Sequence, residues 1–200
     1  MARTTGRPKC LNNGRINLTW KSSGTSEIEA RERQFRTGLT RATGRFVMIQ
    51  DADLEYNPAD YTVVLEPLLR GDAQVVYGSR YMGQRWNCRQ NLRLFRHGVS
   101  LLNLAVRILY GQRLTDEATC YKAMPTDLLR SLDLQCERFE FCPEVTAKLC
   151  RLGIKIHEVP ISYRPRGHAA GKKLRWRDGI EALRVLWRYR NWQSHRTAGG

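Results

Sequence analysis

Long apolar runs are missing from this 200-residue chain. A helix that spans a bilayer needs about 20 apolar residues in succession. The longest candidate, 99–110, is broken by Asn103 and Arg107, so no crossing of a membrane is expected. Signals for metal or disulfide frameworks are missing too. The six cysteines (Cys10, Cys88, Cys120, Cys136, Cys142 and Cys150) contain no CxxC pair and no Cys/His spacing suited to zinc. No N-terminal apolar segment resembles a signal peptide. The thiols are therefore expected to be reduced, several of them in the core, in a cytoplasmic protein. Acids are scarce: Asp+Glu number 19 against 34 Lys+Arg, a net charge of +15. Such an excess favours polyanionic partners, whether nucleic acid, an anionic membrane surface or phosphorylated substrates, without choosing among them. No internal repeat is visible.

What is present is the composition of a folded domain, 42% hydrophobic and 26% charged, long enough for one substantial core. Residues 1–25 are polar, basic and aperiodic, and are expected to be poorly ordered. The domain is expected over 26–192, with a flexible tail at 193–200. Ser26 is placed to cap a helix running through Thr43, with Gly44 ending it. Phe46–Gln50 has the pattern of a short buried strand. Asn57-Pro58 starts a helix that faces Val64, Leu65 and Leu68 inward and that Pro67 kinks or ends. Gln74–Tyr77 is a second buried strand, ended by Gly78. Leu92, Phe95, Val99, Leu102, Val106 and Leu109 follow the 3-4 spacing of an amphipathic helix that stops at Gly111. Pro143 opens a helix that Gly153 terminates, 154–163 is extended, and 176–192 forms a basic, aromatic terminal helix. Strands alternating with helices imply an α/β layer fold with a mainly parallel sheet.

The segment QDADLEYNP, 50–58, places Asp51 and Asp53 one residue apart just after the first strand. In open α/β sheets ligands bind beyond the carboxyl ends of strands. Two carboxylates on such a turn can both reach one hard cation, and Mg2+ is commonly held by one or two carboxylates plus substrate phosphates. Glu55, two residues on, is a third ligand or a solvated neighbour. The competing reading is a turn whose Asp residues cap the next helix.

The flanks extend this pattern. QDADLEYNP is followed in order by VVYGSRY, LTDEATCYK, FEFCPE, EVPISYRPR and GKKL. This ordered set resembles the family 2 glycosyltransferases, and within them the dolichol-phosphate mannosyltransferase or polyprenyl-phosphate type, from about residue 31 to about residue 190. The resemblance implies a GT-A, Rossmann-like nucleotide-diphospho-sugar transferase fold. Here that fold lacks the usual first strand-helix-strand, so the chain is expected to be N-terminally truncated or completed by a partner that supplies those elements. It also implies residue roles. Asp51, Asp53, Glu55 and Gln50 would serve the donor and a Mg2+ or Mn2+ ion, with Asp51 and Asp53 as metal ligands. Arg80 of GSRY, with Arg96 and Ser100 of RHGVS, would hold the acceptor phosphate. The i, i+4 spacing of Arg96 and Ser100 puts both on one helix face. Asp116 of LTD and Arg166 would be catalytic, and Lys172 and Lys173 would belong to a phosphate-closing loop. His157 and His168 receive no role.

The implied reaction is inverting, metal-dependent transfer of a sugar from a nucleotide-diphosphate sugar to a polyprenyl (dolichyl or undecaprenyl) phosphate, at the cytoplasmic face of a membrane that the chain touches peripherally. The basic helix 176–192 would rest on anionic headgroups, or else pack on the core through Ile180, Leu183 and Trp187. Two alternatives stand beside it. One is a non-catalytic relative that binds an anionic membrane or a protein partner. The other is a nucleic-acid-binding protein, which is not expected because no base-reading motif is found.

Overall fold

The computed structural model describes residues 17–19, 38–51, 55–82, 93–135, 140–164 and 176–194. Among them, five strands form one sheet: β1 (Asn17–Thr19), β2 (Phe46–Ile49), β3 (Val75–Ser79), β4 (Lys122–Pro125) and β5 (Ile156–Pro160). Their spatial order is β1-β2-β4-β3-β5. β1 runs parallel to β2, and β3 runs parallel to β5. β4 lies antiparallel between β2 and β3, with Val47 opposite Met124 and Val76 opposite Ala123. The expectation of a mainly parallel sheet thus holds for four strands, while the central strand reverses direction.

Alternation along each strand feeds two cores. Val47, Ile49, Val75, Tyr77 and Met124 face one way, and Met48, Val76 and Ala123 the other. The first core is closed by α2 (Arg93–Tyr110), α3 (Thr126–Ser131), α4 (Phe141–Arg151) and α5 (Trp176–Arg188). The second is closed by α1 (Tyr61–Arg70), through Val64, Leu65 and Leu68. Helices on both faces of the sheet make this a layered α/β fold.

Several sequence expectations need correction. Three residues of the segment 1–25 are not irregular: they form β1, because the outer edge of β2 offers unpaired backbone groups that a strand can satisfy. Of the helix expected over 26–43, residues 38–41 are helical and 42–43 are not; 26–37 lie outside the described residues. Pro67 does not end α1. The helix continues to Arg70 and closes at Gly71 (φ 81), while the Pro67 carbonyl accepts from Asp72 N and Ala73 N at 2.9 and 3.2 Å. Gly78 does not end β3 but lies inside it. A Cβ there would come within 2.8 Å of Ile161 and 3.0 Å of Tyr121, so glycine is required by close approach. α4 begins two residues before Pro143, and the terminal helix gives way at Tyr189 to a 3-10 turn.

Strand direction sets up the site. β2, β3 and β5 run the same way, so their carboxyl ends share one edge of the sheet, and β4 enters from that same edge. Asp51, Arg80, residues 116–120 and Tyr163 all follow or precede these ends.

Candidate active site

At the sheet's carboxyl edge Arg80 and Asp116 form a bidentate pair. Arg80 Nε donates to Asp116 Oδ2 and Nη2 to Oδ1, both at 2.7 Å, and the Arg80 main-chain N–H adds a third bond to Oδ2 at 2.9 Å. The two side chains are 4% and 0% exposed. Burial opposes the guanidinium's charge, but Tyr56 and Asp116 more than offset it, and its pKa is held well above the ordinary arginine value.

Glu158 of β5 builds the turn that carries Asp116. Its carboxylate accepts from Thr115 N at 2.8 Å, Asp116 N at 2.9 Å and Thr115 Oγ1 at 3.1 Å. Burial raises the Glu158 carboxyl above its ordinary range, and these hydrogen bonds pull it back down. Ser79 adds a 2.6 Å contact to Thr115 Oγ1, and Asn103 of α2 donates to Thr115 O at 2.7 Å. Asn103 also accepts from Glu117 N at 2.9 Å. Two strands, β3 and β5, and helix α2 thus converge on residues 115–117.

Asp51 follows β2 directly and is half-buried. Its Oδ2 accepts from the Cys120 thiol. A chain of contacts then leads to the buried pair. Cys120 N donates to Tyr56 OH at 3.1 Å, Tyr56 meets Tyr163 edge-on at 5.3 Å, and the Arg80 guanidinium lies 5.1 Å above the Tyr163 ring. Tyr56 also stacks on Tyr121 at 4.7 Å, and burial drives its phenol pKa well up. The Tyr163 hydroxyl donates to Glu55 Oε2 at 2.5 Å, and Arg164 N donates to Glu55 O at 2.8 Å. Gln50, buried, accepts from the Tyr61 hydroxyl.

The predicted residues therefore divide. Asp51, Glu55, Arg80 and Asp116 are linked through tyrosines at one edge. Gln50 lies beside Asp51 but turns to α1. Arg96 and Ser100 are exposed on α2. Asp53, Arg166, Lys172 and Lys173 lie outside the described residues. The residues that sequence reasoning gave no role are Glu158, Cys120, Tyr56 and Tyr163. The signal for Glu158 and Tyr163 was the EVPISY block itself, and Cys120 stood in the TCYK block.

For a divalent cation, Asp51 offers hard oxygen at the strand end. Among the described residues its Oδ1 has no partner and its Oδ2 has only a weak thiol donor. Glu55 already spends one oxygen on Tyr163. No group of three His, Cys, Asp or Glu able to hold a metal occurs among the described residues. Asp51 fits a cation ligand, and Asp53 lies outside the described residues.

This geometry has relatives. The profile described as Glycosyl transferase family 2 matches residues 29–131, just over half of the chain. The chain belongs to glycosyl transferase family 2. The family 2 domain is 33% identical over 135 residues to the undecaprenyl-phosphate mannosyltransferase of Micrococcus luteus, covering 64% of this chain and 53% of that protein. It is 30% identical over 121 residues to glycosyltransferase AglJ of Haloferax volcanii, covering 60% of this chain and 39% of that protein. The chain thus spans about half or less of the length of these curated relatives. Among solved structures, it superposes on Mycobacterium tuberculosis glucosyl-3-phosphoglycerate synthase with Mn2+, UDP and phosphoglyceric acid. That match has a TM-score of 0.59 at 16% identity, over 81% of this chain and 54% of that one. The Mg2+ and UDP complex of the same enzyme gives a TM-score of 0.56 at 18% identity, over 88% and 57%. The fold is the GT-A fold of these enzymes.

Proposed function

We propose that this family 2 domain transfers a hexosyl group from a nucleoside-diphosphate sugar to a polyprenyl phosphate, with inversion at the anomeric carbon. The observation that carries the reading is the convergence of Asp51, Arg80 and Asp116, 65 residues apart from first to last, on one carboxyl edge of the sheet. The similarity to the Micrococcus luteus undecaprenyl-phosphate enzyme supports the lipid acceptor. The fold shared with an enzyme solved with UDP and Mn2+ supports the donor class.

An acceptor phosphate is already anionic, so its oxygen forms the new bond to the anomeric carbon as the bond to the diphosphate breaks, with no proton to remove. A general base is therefore not required. Asp116 accords with that: both of its oxygens are occupied by Arg80, and it acts as a positioning residue for the guanidinium. Arg80, clamped at Nε and Nη2, is a fixed positive charge beside the reacting phosphates, the preorganised kind that stabilises developing charge. Glu158 acts one step further back by fixing the 115–116 turn. Arg96 and Ser100, on one exposed face of α2, would receive the acceptor phosphate. Asp51, with Asp53, would hold Mg2+ or Mn2+, which when bound neutralises charge on the leaving diphosphate.

The test is a thermal shift with GDP- and UDP-sugars, with and without Mn2+, on the wild type and on Asp51→Asn. Ligand at ten times its Kd should stabilise by about 1.4 kcal/mol. A Mn2+-dependent shift that Asp51→Asn abolishes is expected. A cooperatively melting protein with no shift for any nucleotide sugar would overturn the reading and leave a domain with the family's fold and no donor site.

A further inference from the structure

We propose that Tyr163 is a positioning residue whose two ends serve the two halves of the reaction. Its hydroxyl aims the Glu55 carboxylate for the donor's cation, and its ring holds the Arg80 guanidinium for the acceptor phosphate. The proposal rests on the donor and acceptor roles given above to this edge of the sheet.

Tyr163 owes its place to the chain on either side of it. After β5 the backbone crosses the sheet edge and is tied down at successive residues. Ile161 N donates to Ser79 O at 3.1 Å, one residue before Arg80. Ser162 N donates to Asp60 Oδ2 at 2.7 Å, and the Ser162 hydroxyl to Asp60 Oδ1 at 3.3 Å. Tyr163 and Tyr56 form an antiparallel bridge, and Arg164 N donates to Glu55 O at 2.8 Å. One end of this short segment is thus bonded beside Arg80 and the other to Glu55 itself. The phenol between them has a fixed base from which to touch both.

The hydroxyl donates to Glu55 Oε2 at 2.5 Å, the length of a strong bond to a charged acceptor. Glu55 is 8% exposed and stands four residues after Asp51. A buried carboxylate gripped at one oxygen keeps a single orientation. Partners of this kind, one step outside a metal's own ligands, typically contribute tenfold to a hundredfold in metal affinity. The ring works on the other side. The Arg80 guanidinium carbon lies 5.1 Å from its centroid, within the range of a cation–π contact. Asp116 already grips Nε and Nη2, so the guanidinium is held by a carboxylate and by an aromatic face together. Phenylalanine would supply the face without the hydroxyl, which makes the two ends separable by substitution.

The experiment is calorimetric titration of the full chain with UDP or GDP in Mn2+, and separately with a short-chain, water-soluble prenyl phosphate. The proteins are the wild type, Tyr163→Phe and Tyr163→Leu. Tyr163→Phe should bind the Mn2+ diphosphate about tenfold more weakly. It should bind the prenyl phosphate within about twofold of the wild type, because the ring remains. Tyr163→Leu should lose the same donor affinity and about fivefold in prenyl phosphate as well. In a Glu55→Gln background, Tyr163→Phe should add no further loss of donor affinity, since the hydroxyl acts through that carboxylate. Donor affinity unchanged in Tyr163→Phe would overturn the proposal. So would equal losses of both ligands in Tyr163→Phe and Tyr163→Leu, the mark of a residue that only packs. A wild type that binds neither diphosphate overturns the donor reading and this proposal with it. A wild type that binds a diphosphate but no prenyl phosphate overturns the acceptor reading and the ring's share of the proposal.

Discussion

Asp116→Asn is the sharpest probe of the site's frame. The substitution keeps size and shape but replaces an anionic acceptor of three Arg80 bonds with an amide whose NH2 faces guanidinium N–H groups. Both side chains are buried, so the guanidinium loses its bidentate carboxylate at a site with little access to solvent. Breaking such a pair on one side costs about 3–5 kcal/mol. A solvent-exposed pair such as Arg184–Glu181 on α5 is worth about 0–1 kcal/mol. Arg80→Met strands Asp116 instead and should cost a similar amount. The double variant removes both charges, so its loss should fall short of the sum of the singles by about 1–3 kcal/mol. Urea denaturation of the four proteins, read as midpoint and slope, gives the cycle. An Asp116→Asn protein within about 1 kcal/mol of wild type, together with additive losses in the double variant, would refute the claim that this pair is dry and mutually required.

Gly78→Ala should destabilise by about 1–3 kcal/mol, visible as a lower melting midpoint, because the new methyl meets Ile161 and the Tyr121 Cβ inside the sheet. Glu117→Gln carries a pH signature. Burial raises the Glu117 carboxyl above its ordinary 4.5, with Lys122 pulling it down. The folded state then holds its proton more tightly than the unfolded one, a stabilisation fully present below the unfolded pKa and lost as pH rises through the folded one. The variant should therefore gain on the wild type as pH climbs from 4 toward neutrality, measured by denaturant midpoints across that range. A parallel pair of pH curves would contradict it. Lys148→Met should cost about 3–5 kcal/mol by leaving the buried Glu144 carboxylate, otherwise 2.6 Å from Lys148 Nζ, without its cation.

How much of this was legible follows from where the signals lie. β2 and β3 announced themselves as β-branched runs closed by turn residues, and α2 through its 3-4 apolar spacing, because both patterns are local. β4 did not. It opens with Lys122, a charge that argues against a central strand, yet the ammonium is fully buried. It donates to Glu117 O at 2.6 Å and Thr119 O at 2.8 Å and sits 3.9 Å above the Tyr77 ring. Tertiary partners offset the cost of burying that charge, and none of them is visible in the local pattern. Pro67 misled for a related reason: the missing N–H is one bond, and the packing of Val64, Leu65 and Leu68 outweighs it. Ordered motifs placed Asp51, Arg80 and Asp116 at one edge. That Arg80 and Asp116 bind each other, 36 residues apart, and that Glu158 sets the turn between them, is information only the sheet order contains.

The placement of β4 also dictates an order of events. Its neighbours β2 and β3 end at Ile49 and Ser79, yet neither can pair on its inner edge until Lys122–Pro125 arrives. On a ribosome the first half of the chain therefore emerges as strands with open edges, waiting for a strand made later. Closing the sheet requires loops from β2 and β3 to β4 that no local turn shortens, the kind of topology that folds slowly and exposes edges to aggregation meanwhile. β4 also carries residues 116–120 to the sheet edge, and the site is finished only when the later β5 pairs with β3 and brings Glu158 under the 115–116 turn.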